Sequence, residues 1–239
     1  MSQIYLIRHG QAGTRDDYDR LSELGQEQTR RLGAWLAREG VGFDQVLSGG
    51  LRRQRETAEL ALGVMAAAGQ PQPEPEIDPE WNEFDLDAVY ASIAPRIAGE
   101  HPEYRAHFEA VERSMNDAEA ALHRQWTAAD SAVVLAWMEG RFACAGESWA
   151  DFTLRVRAGL AKPLAEARAG RRVAVFTSAT PVAISLGQLY PMDARGTLRL
   201  GAGSFNTNVT ILNVKDGEPS LAAFNWVAHL EKPEWRTHR

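Results

Sequence analysis

Apolar positions along this chain follow two rhythms. Ile4-Tyr5-Leu6-Ile7, Val46-Leu47 within Asp44–Ser48, and Val173-Ala174-Val175-Phe176 within Arg172–Thr177 are short runs rich in β-branched and aromatic residues. Such runs predict buried strands. Between them, apolar residues return every three or four positions, which predicts helices. Leu24, Gln28, Leu32, Trp35 and Leu36 share a face behind a start at Ser22-Glu23, and Gly40 and Gly42 stop that helix. Ser48-Gly49-Gly50 turns into a second helix with Leu51, Ala58, Leu62 and Met65 inward. Ser148, with Asp151 three residues on, starts a helix striped by Phe152, Val156, Leu160 and Leu164. Thr180-Pro181 opens another, with the proline suited to a first turn. Strand, helix, strand, helix in this order predicts a parallel sheet with right-handed crossovers. Asn208–Val214 and Ser220–Asn225, joined across Lys215-Asp216-Gly217-Glu218-Pro219, predict a β-hairpin.

Two stretches depart from this alternation. Gly69–Pro79 holds Pro71, Pro73, Pro75 and Pro79 and reads as an extended connection within the domain. Leu86–Asp130 is helical in pattern, interrupted by Pro95 and Pro102, with few apolar anchors (Ile93, Ile97, Phe108, Val111, Met115, Leu122, Trp126). It predicts a helical insertion at about 86–130, over one end of the sheet, in a single domain spanning 1–239. A solvated helical hairpin without a functional role is the alternative.

Composition narrows the functions. With 239 residues, 44% hydrophobic and 24% charged, the chain suits a soluble globular protein with a large core. A formal net charge of −6 argues against nucleic-acid or anionic-membrane partners. Cys144 is the only cysteine, so an intramolecular disulfide and a multi-thiolate metal site are both excluded. No apolar stretch approaches a membrane span, and the first residues lack the basic and apolar regions of a signal peptide; the expected location is cytoplasmic. Oligomeric state is not readable.

The chemistry gathers at strand ends. Arg8-His9-Gly10 leaves the first apolar run, and a cation and an imidazole there are poor packing choices. Ligand sites in open α/β sheets lie beyond the carboxyl ends of strands. Leu51-Arg52-Arg53-Gln54-Arg55-Glu56-Thr57-Ala58 places arginines at a helix start; Trp81-Asn82-Glu83 places a carboxylate near a predicted third strand; Thr177-Ser178-Ala179-Thr180 follows the Val173–Phe176 run. Arginine grips phosphate oxygens in pairs, and helix N-termini add donors for an anion.

With these residues in view, the sequence resembles the histidine phosphatase superfamily, the phosphoglycerate-mutase-like fold, over most of its length. Arg8-His9-Gly10-Gln11 is similar to its signature. Asp17-Tyr18-Asp19-Arg20-Leu21-Ser22-Glu23-Leu24-Gly25, Ser48–Ala58, Gly146-Glu147-Ser148 and Asn225-Trp226-Val227-Ala228-His229-Leu230 match in pattern. The resemblance implies a three-layer α/β/α sandwich with a mainly parallel central sheet. It implies His9 as nucleophile through a phosphohistidine, Arg8 and Arg53 as phosphate-binding residues, Glu83 as acid, and no metal or cofactor. The partner implied is a small phosphorylated substrate.

The chain departs from the family pattern twice. Ser178 stands where the family places a second histidine, and would serve as a phosphate-binding hydroxyl; His101, His107, His123, His229 and His238 do not substitute by position. Phe84-Asp85-Leu86-Asp87 lacks the glycines usual after the acid, which leaves Asp85 as the fallback. The expected function is a phosphomonoesterase. A degenerate phospholigand-binding relative is the alternative, and a phosphoglycerate mutase ranks last because Glu83 is followed by Phe84 rather than arginine. Arg96, Tyr104 and Arg105 in the insertion are candidates to reach a ligand.

Overall fold

The computed structural model describes residues 2–13, 19–115, 126–167 and 170–238. A mixed sheet of six strands forms its middle layer, in the order β3-β2-β4-β1-β5-β6. The strands are β1 (Ser2–Arg8), β2 (Gln45–Ser48), β3 (Glu76–Ile77), β4 (Arg172–Thr177), β5 (Val209–Lys215) and β6 (Glu218–Trp226). β1, β2, β3 and β4 run parallel; β5 and β6 add to β1 in antiparallel fashion. Asp216-Gly217 makes the β5–β6 turn with φ of 54° and 84°, the left-handed pair that a two-residue hairpin requires.

Strand side chains alternate between two cores. Tyr5, Ile7, Val46, Ala174, Phe176 and Ile211 face α1 (Glu23–Arg38) and α2 (Arg52–Ala67). Ile4, Leu6, Leu47, Val173, Val175 and Leu212 face the opposite layer. That layer draws on α3 (Leu86–Glu100), α4 (Arg105–Met115), α5 (Ala128–Met138), α6 (Trp149–Glu166) and α7 (Ala179–Leu189), while α8 (Ala194–Ala202) packs beside α7. The α/β three-layer expectation is met. Among the described residues no helix is long and apolar enough to cross a membrane.

Three local readings change. The proline-rich stretch carries the two-residue edge strand β3, and Pro79 starts a 3₁₀ turn, Pro79–Trp81, instead of ending an extended segment. α5 runs to Met138, past the expected end of the insertion. It is buried nearly all round and shows little amphipathic period, so its pattern carried no helical signal. α8 was not anticipated at all. His123 and Leu122 lie outside the described residues.

A candidate phosphoryl-transfer site

β1 and β4 lie side by side, with Arg8 paired to Thr177, so His9 and Ser178 emerge next to each other at the carboxyl edge. The His9 N–H extends this ladder to the Thr177 carbonyl at 2.9 Å. The chain then turns under α1. A Cβ at Gly10 would lie 2.6 Å from the Gly25 carbonyl oxygen, and one at Gly25 would lie 2.1 Å from that of Gln11. Only paired glycines permit this approach. The loop is tied to α2 by the Gly10 N–H, which donates to Thr57 Oγ1 at 3.1 Å, while Thr57 donates to the Arg53 carbonyl at 2.7 Å.

These ties bring the predicted cations onto the imidazole. Arg53 Nε donates to His9 Nε2 at 3.3 Å, and His9 Nδ1 lies 2.7 Å from the Gly10 carbonyl. A carbonyl only accepts and a guanidinium only donates. The pair therefore fixes one tautomer: a proton on Nδ1 and a lone pair on Nε2, pointing at Arg53. Burial first, then the charges of Arg53 and Arg8, hold His9 well below its ordinary pKa of 6.5; the Gly10 hydrogen bond opposes them more weakly. The imidazole is thus a neutral base among cations.

Each arginine has an anchor. Arg53 Nη1 pairs with Asp19 at 2.7 Å, and Asp19 is half exposed. Arg8 donates through Nη1 to the Ser204 carbonyl and through Nη2 to the His238 carbonyl, the latter at 2.6 Å. The segment around His238 is itself secured. Gln28 Nε2 donates to the Trp235 carbonyl at 2.7 Å and to Thr237 Oγ1 at 2.8 Å, and the Asn206 N–H donates to the Thr237 carbonyl at 2.7 Å.

Glu83 sits across the site, partly buried, directly after the turn Pro79–Trp81. It accepts from the Thr180 N–H at 3.1 Å in the first turn of α7 and from the Phe84 N–H at 3.2 Å. Burial lifts its pKa above 4.5, against the pull of Thr180, Arg53 and the Phe84 N–H. Asp85, the fallback acid, instead caps α3 by accepting from the Ala88 N–H at 3.0 Å. Phe84 turns away into an aromatic cluster, with ring centroids 4.6 Å from Trp137 and 5.7 Å from Phe152. Arg96 and Arg105 are exposed, and Tyr104 packs against His101 and Phe108.

Ser178 is buried and serves as N-cap residue of α7 without a side-chain capping bond. Its Oγ accepts from Gln54 Nε2 at 2.9 Å. The same amide nitrogen donates to the Trp81 carbonyl at 3.0 Å. Gln54 was not singled out in the sequence. Its position beside Arg53 was the only available signal, and a glutamine in a helix reads as surface.

His229 lies outside this cluster and steadies it. Thr207 Oγ1 donates to the Asn206 carbonyl at 2.7 Å, so it accepts from His229 Nε2, 2.8 Å away. Asn206 Nδ2 and the Thr207 N–H both donate to the His9 carbonyl at 3.2 Å. His229 Nδ1 is buried without a hydrogen-bond partner among the described residues. Protonation would place a charge there, and burial lowers the pKa to about 3. The folded value lies below the unfolded one, so this group's stabilisation is complete above pH 6.5 and is lost as pH falls towards 3. The loss is about 1.4 kcal/mol at pH 5.5 and about 2.7 kcal/mol at pH 4.5. Urea titrations of wild type and His229→Asn should differ in acid sensitivity by this amount; parallel curves would show that His229 is not held neutral.

Comparison with known proteins gives the family. Residues 4–133 and 107–227 match the profile of the histidine phosphatase superfamily (branch 1), and the chain belongs to that family. It is 39% identical over 75 residues to a 2,3-bisphosphoglycerate-dependent phosphoglycerate mutase of Methylorubrum populi, a match covering 28% of this chain and 34% of that one. The chain thus matches about a third of the length of such curated relatives. Among solved structures it is similar to a phosphoglycerate mutase from Bacillus anthracis, with TM-score 0.62 and 20% identity over 96% of this chain and 95% of that one. It is also similar to a phosphoserine phosphatase of Entamoeba histolytica in complex with 3-phosphoglyceric acid, with TM-score 0.60 and 18% identity over 96% and 100% of the two chains. At these identities the solved structures speak for the fold.

Proposed function

We propose that the protein is a phosphomonoesterase that works through a phosphohistidine on a small phosphorylated substrate. The observation that carries this reading is the His9 tautomer, whose bare Nε2 lies 3.3 Å from Arg53 Nε with Arg8 adjacent in the chain. Nε2 attacks phosphorus; the N–P bond forms as the bond to the leaving oxygen breaks, and protonated Glu83 gives that oxygen its proton. Glu83, now a carboxylate, takes a proton from water. The new O–P bond forms, the N–P bond breaks, and phosphate leaves with His9 neutral again. The transition state is loose, so the protein contributes mainly position and charge. Arg8 and Arg53 hold the equatorial oxygens, Arg53 exchanging Asp19 and His9 for phosphate, and Ser178 adds a hydroxyl. No metal enters these steps. A mutase role is disfavoured because Phe84, beside the acid, is committed to packing on Trp137 and Phe152.

The test is phosphate release from 4-nitrophenyl phosphate by purified protein across pH. The first step needs neutral His9 and protonated Glu83. Hence kcat/KM should rise with pH through the His9 titration, below pH 6.5, and fall through that of Glu83, above pH 4.5. Glu83→Gln should lose the falling limb. An unaltered profile in that variant removes Glu83 from the acid role. Phosphate binding without release leaves the degenerate relative as the reading.

A further inference from the structure

We infer that Arg155, clamped by Glu147, is a positioning residue for the Glu83 carboxyl; this rests on the proposed phosphatase reading. Arg155 lies on α6, outside the cluster around His9. Its Nη1 donates to the carbonyls of Pro79 at 3.0 Å, Glu80 at 3.0 Å and Asn82 at 3.2 Å. Its Nε and Nη2 meet Glu147 Oε1 and Oε2 at 2.8 and 2.7 Å, a bidentate pair that fixes the guanidinium plane. The Trp137 indole N–H donates to the Glu147 carbonyl at 3.0 Å and so holds the clamp in turn.

The carbonyl skipped by Arg155 points the other way. Trp81 oxygen accepts from Thr177 Oγ1 at 2.7 Å and from Gln54 Nε2 at 3.0 Å, both at the site. Asn82 Oδ1 accepts from the Gly50 N–H at 2.6 Å, in the turn that leads into α2 and Arg53. The segment 79–82 is therefore held between α6 and the phosphate-side framework, and Glu83 is the next residue. One turn along α6, Gly159 allows the close contact: a Cβ there would lie 3.1 Å from Glu80 Cβ and 3.3 Å from Trp81 Cε2. A shared carbonyl cage of this kind fixes where the backbone delivers the following side chain. Among the described residues, Arg155 is the α6 side chain that donates to these carbonyls.

Leaving-group dependence isolates this role. An alkyl phosphate needs a proton on its leaving oxygen, whereas 2,4-dinitrophenyl phosphate does not. Glu83→Gln should depress kcat/KM for glycerol phosphate far more than for the dinitrophenyl ester. Arg155→Met and Glu147→Gln should show the same selective loss, by about tenfold or more, with a displaced alkaline limb. Arg155→Lys, which cannot make the bidentate pair, should recover only part of it. Arg155→Met tests the larger change, and Glu147→Gln keeps the test open if that variant does not fold. Equal losses on both substrates, or none, in a folded variant overturn the inference while leaving the phosphatase reading in place. If Glu83→Gln itself shows no selectivity, the acid assignment falls and the inference falls with it.

Discussion

Alanine at His9 is expected to abolish phosphate release while leaving the fold intact. The proposed reading assigns the attack to the His9 Nε2 lone pair, since Arg8 and Arg53 have no lone pair to offer and Glu83 takes the acid role. Loss of a nucleophile that acts within a unit costs about four orders of magnitude or more in rate. Stability should change little, by about 1 kcal/mol. The His9 ring makes polar contacts to Gly10 and Arg53, and the ladder bond from its backbone N–H to Thr177 survives truncation. Rapid quench with a labelled substrate should trap acid-labile, base-stable phosphate on wild type and none on His9→Ala. Label retained on the variant would move the nucleophile elsewhere.

A second large effect is expected at Ser178, and it depends on Gln54. Ser178→His alone should not raise activity. Ser178 is buried, and Gln54 Nε2 already stands 2.9 Å from its hydroxyl. Gln54 has nowhere to go, because even a Cβ at Gly49 would meet its Oε1 at 2.0 Å. Forcing an imidazole into this space should destabilise by about 1–3 kcal/mol. Gln54→Ala removes as many non-hydrogen atoms as Ser178→His adds. The double variant should therefore admit a second imidazole, and phosphate release should rise by about two to three orders of magnitude, the worth of one well-placed donor to a transition state. Initial rates of the four proteins on one aryl phosphate decide it. A wild type already fast, with no gain in the double variant, would mean that the Gln54–Ser178 pair is a working arrangement and would remove the degenerate reading.

Several elements were legible because their signals are local. β1 and β4 are continuous apolar runs, and both were placed to within two residues. The caps Ser22 and Ser148 accept from the Gly25 and Asp151 N–H groups, as their spacing predicts. α5 and α8 were illegible for different reasons. α5 is apolar on nearly every side and shows no face. α8 has a distinct apolar face but is a short helix between Asp193, which caps it, and Gly203, and Gly196 and Gly201 inside it weaken its helical signal.

The site divides along the same line. The sequence alone determined which residue types stand at the strand ends, because strand periodicity and the following turns set where Arg8, His9 and Ser178 leave the sheet. It could not determine which nitrogen of His9 is bare, why Glu83 rather than Asp85 faces the cluster, or that Gln54 holds Ser178. Those follow from contacts such as Gln54 to Ser178, 124 positions apart, and Arg8 to His238, 230 apart. Hydrophobic pattern is a property of neighbours along the chain and survives in the sequence. Proton placement, pKa and the direction of a side chain depend on groups that only folding brings within about 3 Å, where hydrogen bonding acts, and the tertiary structure alone decides them.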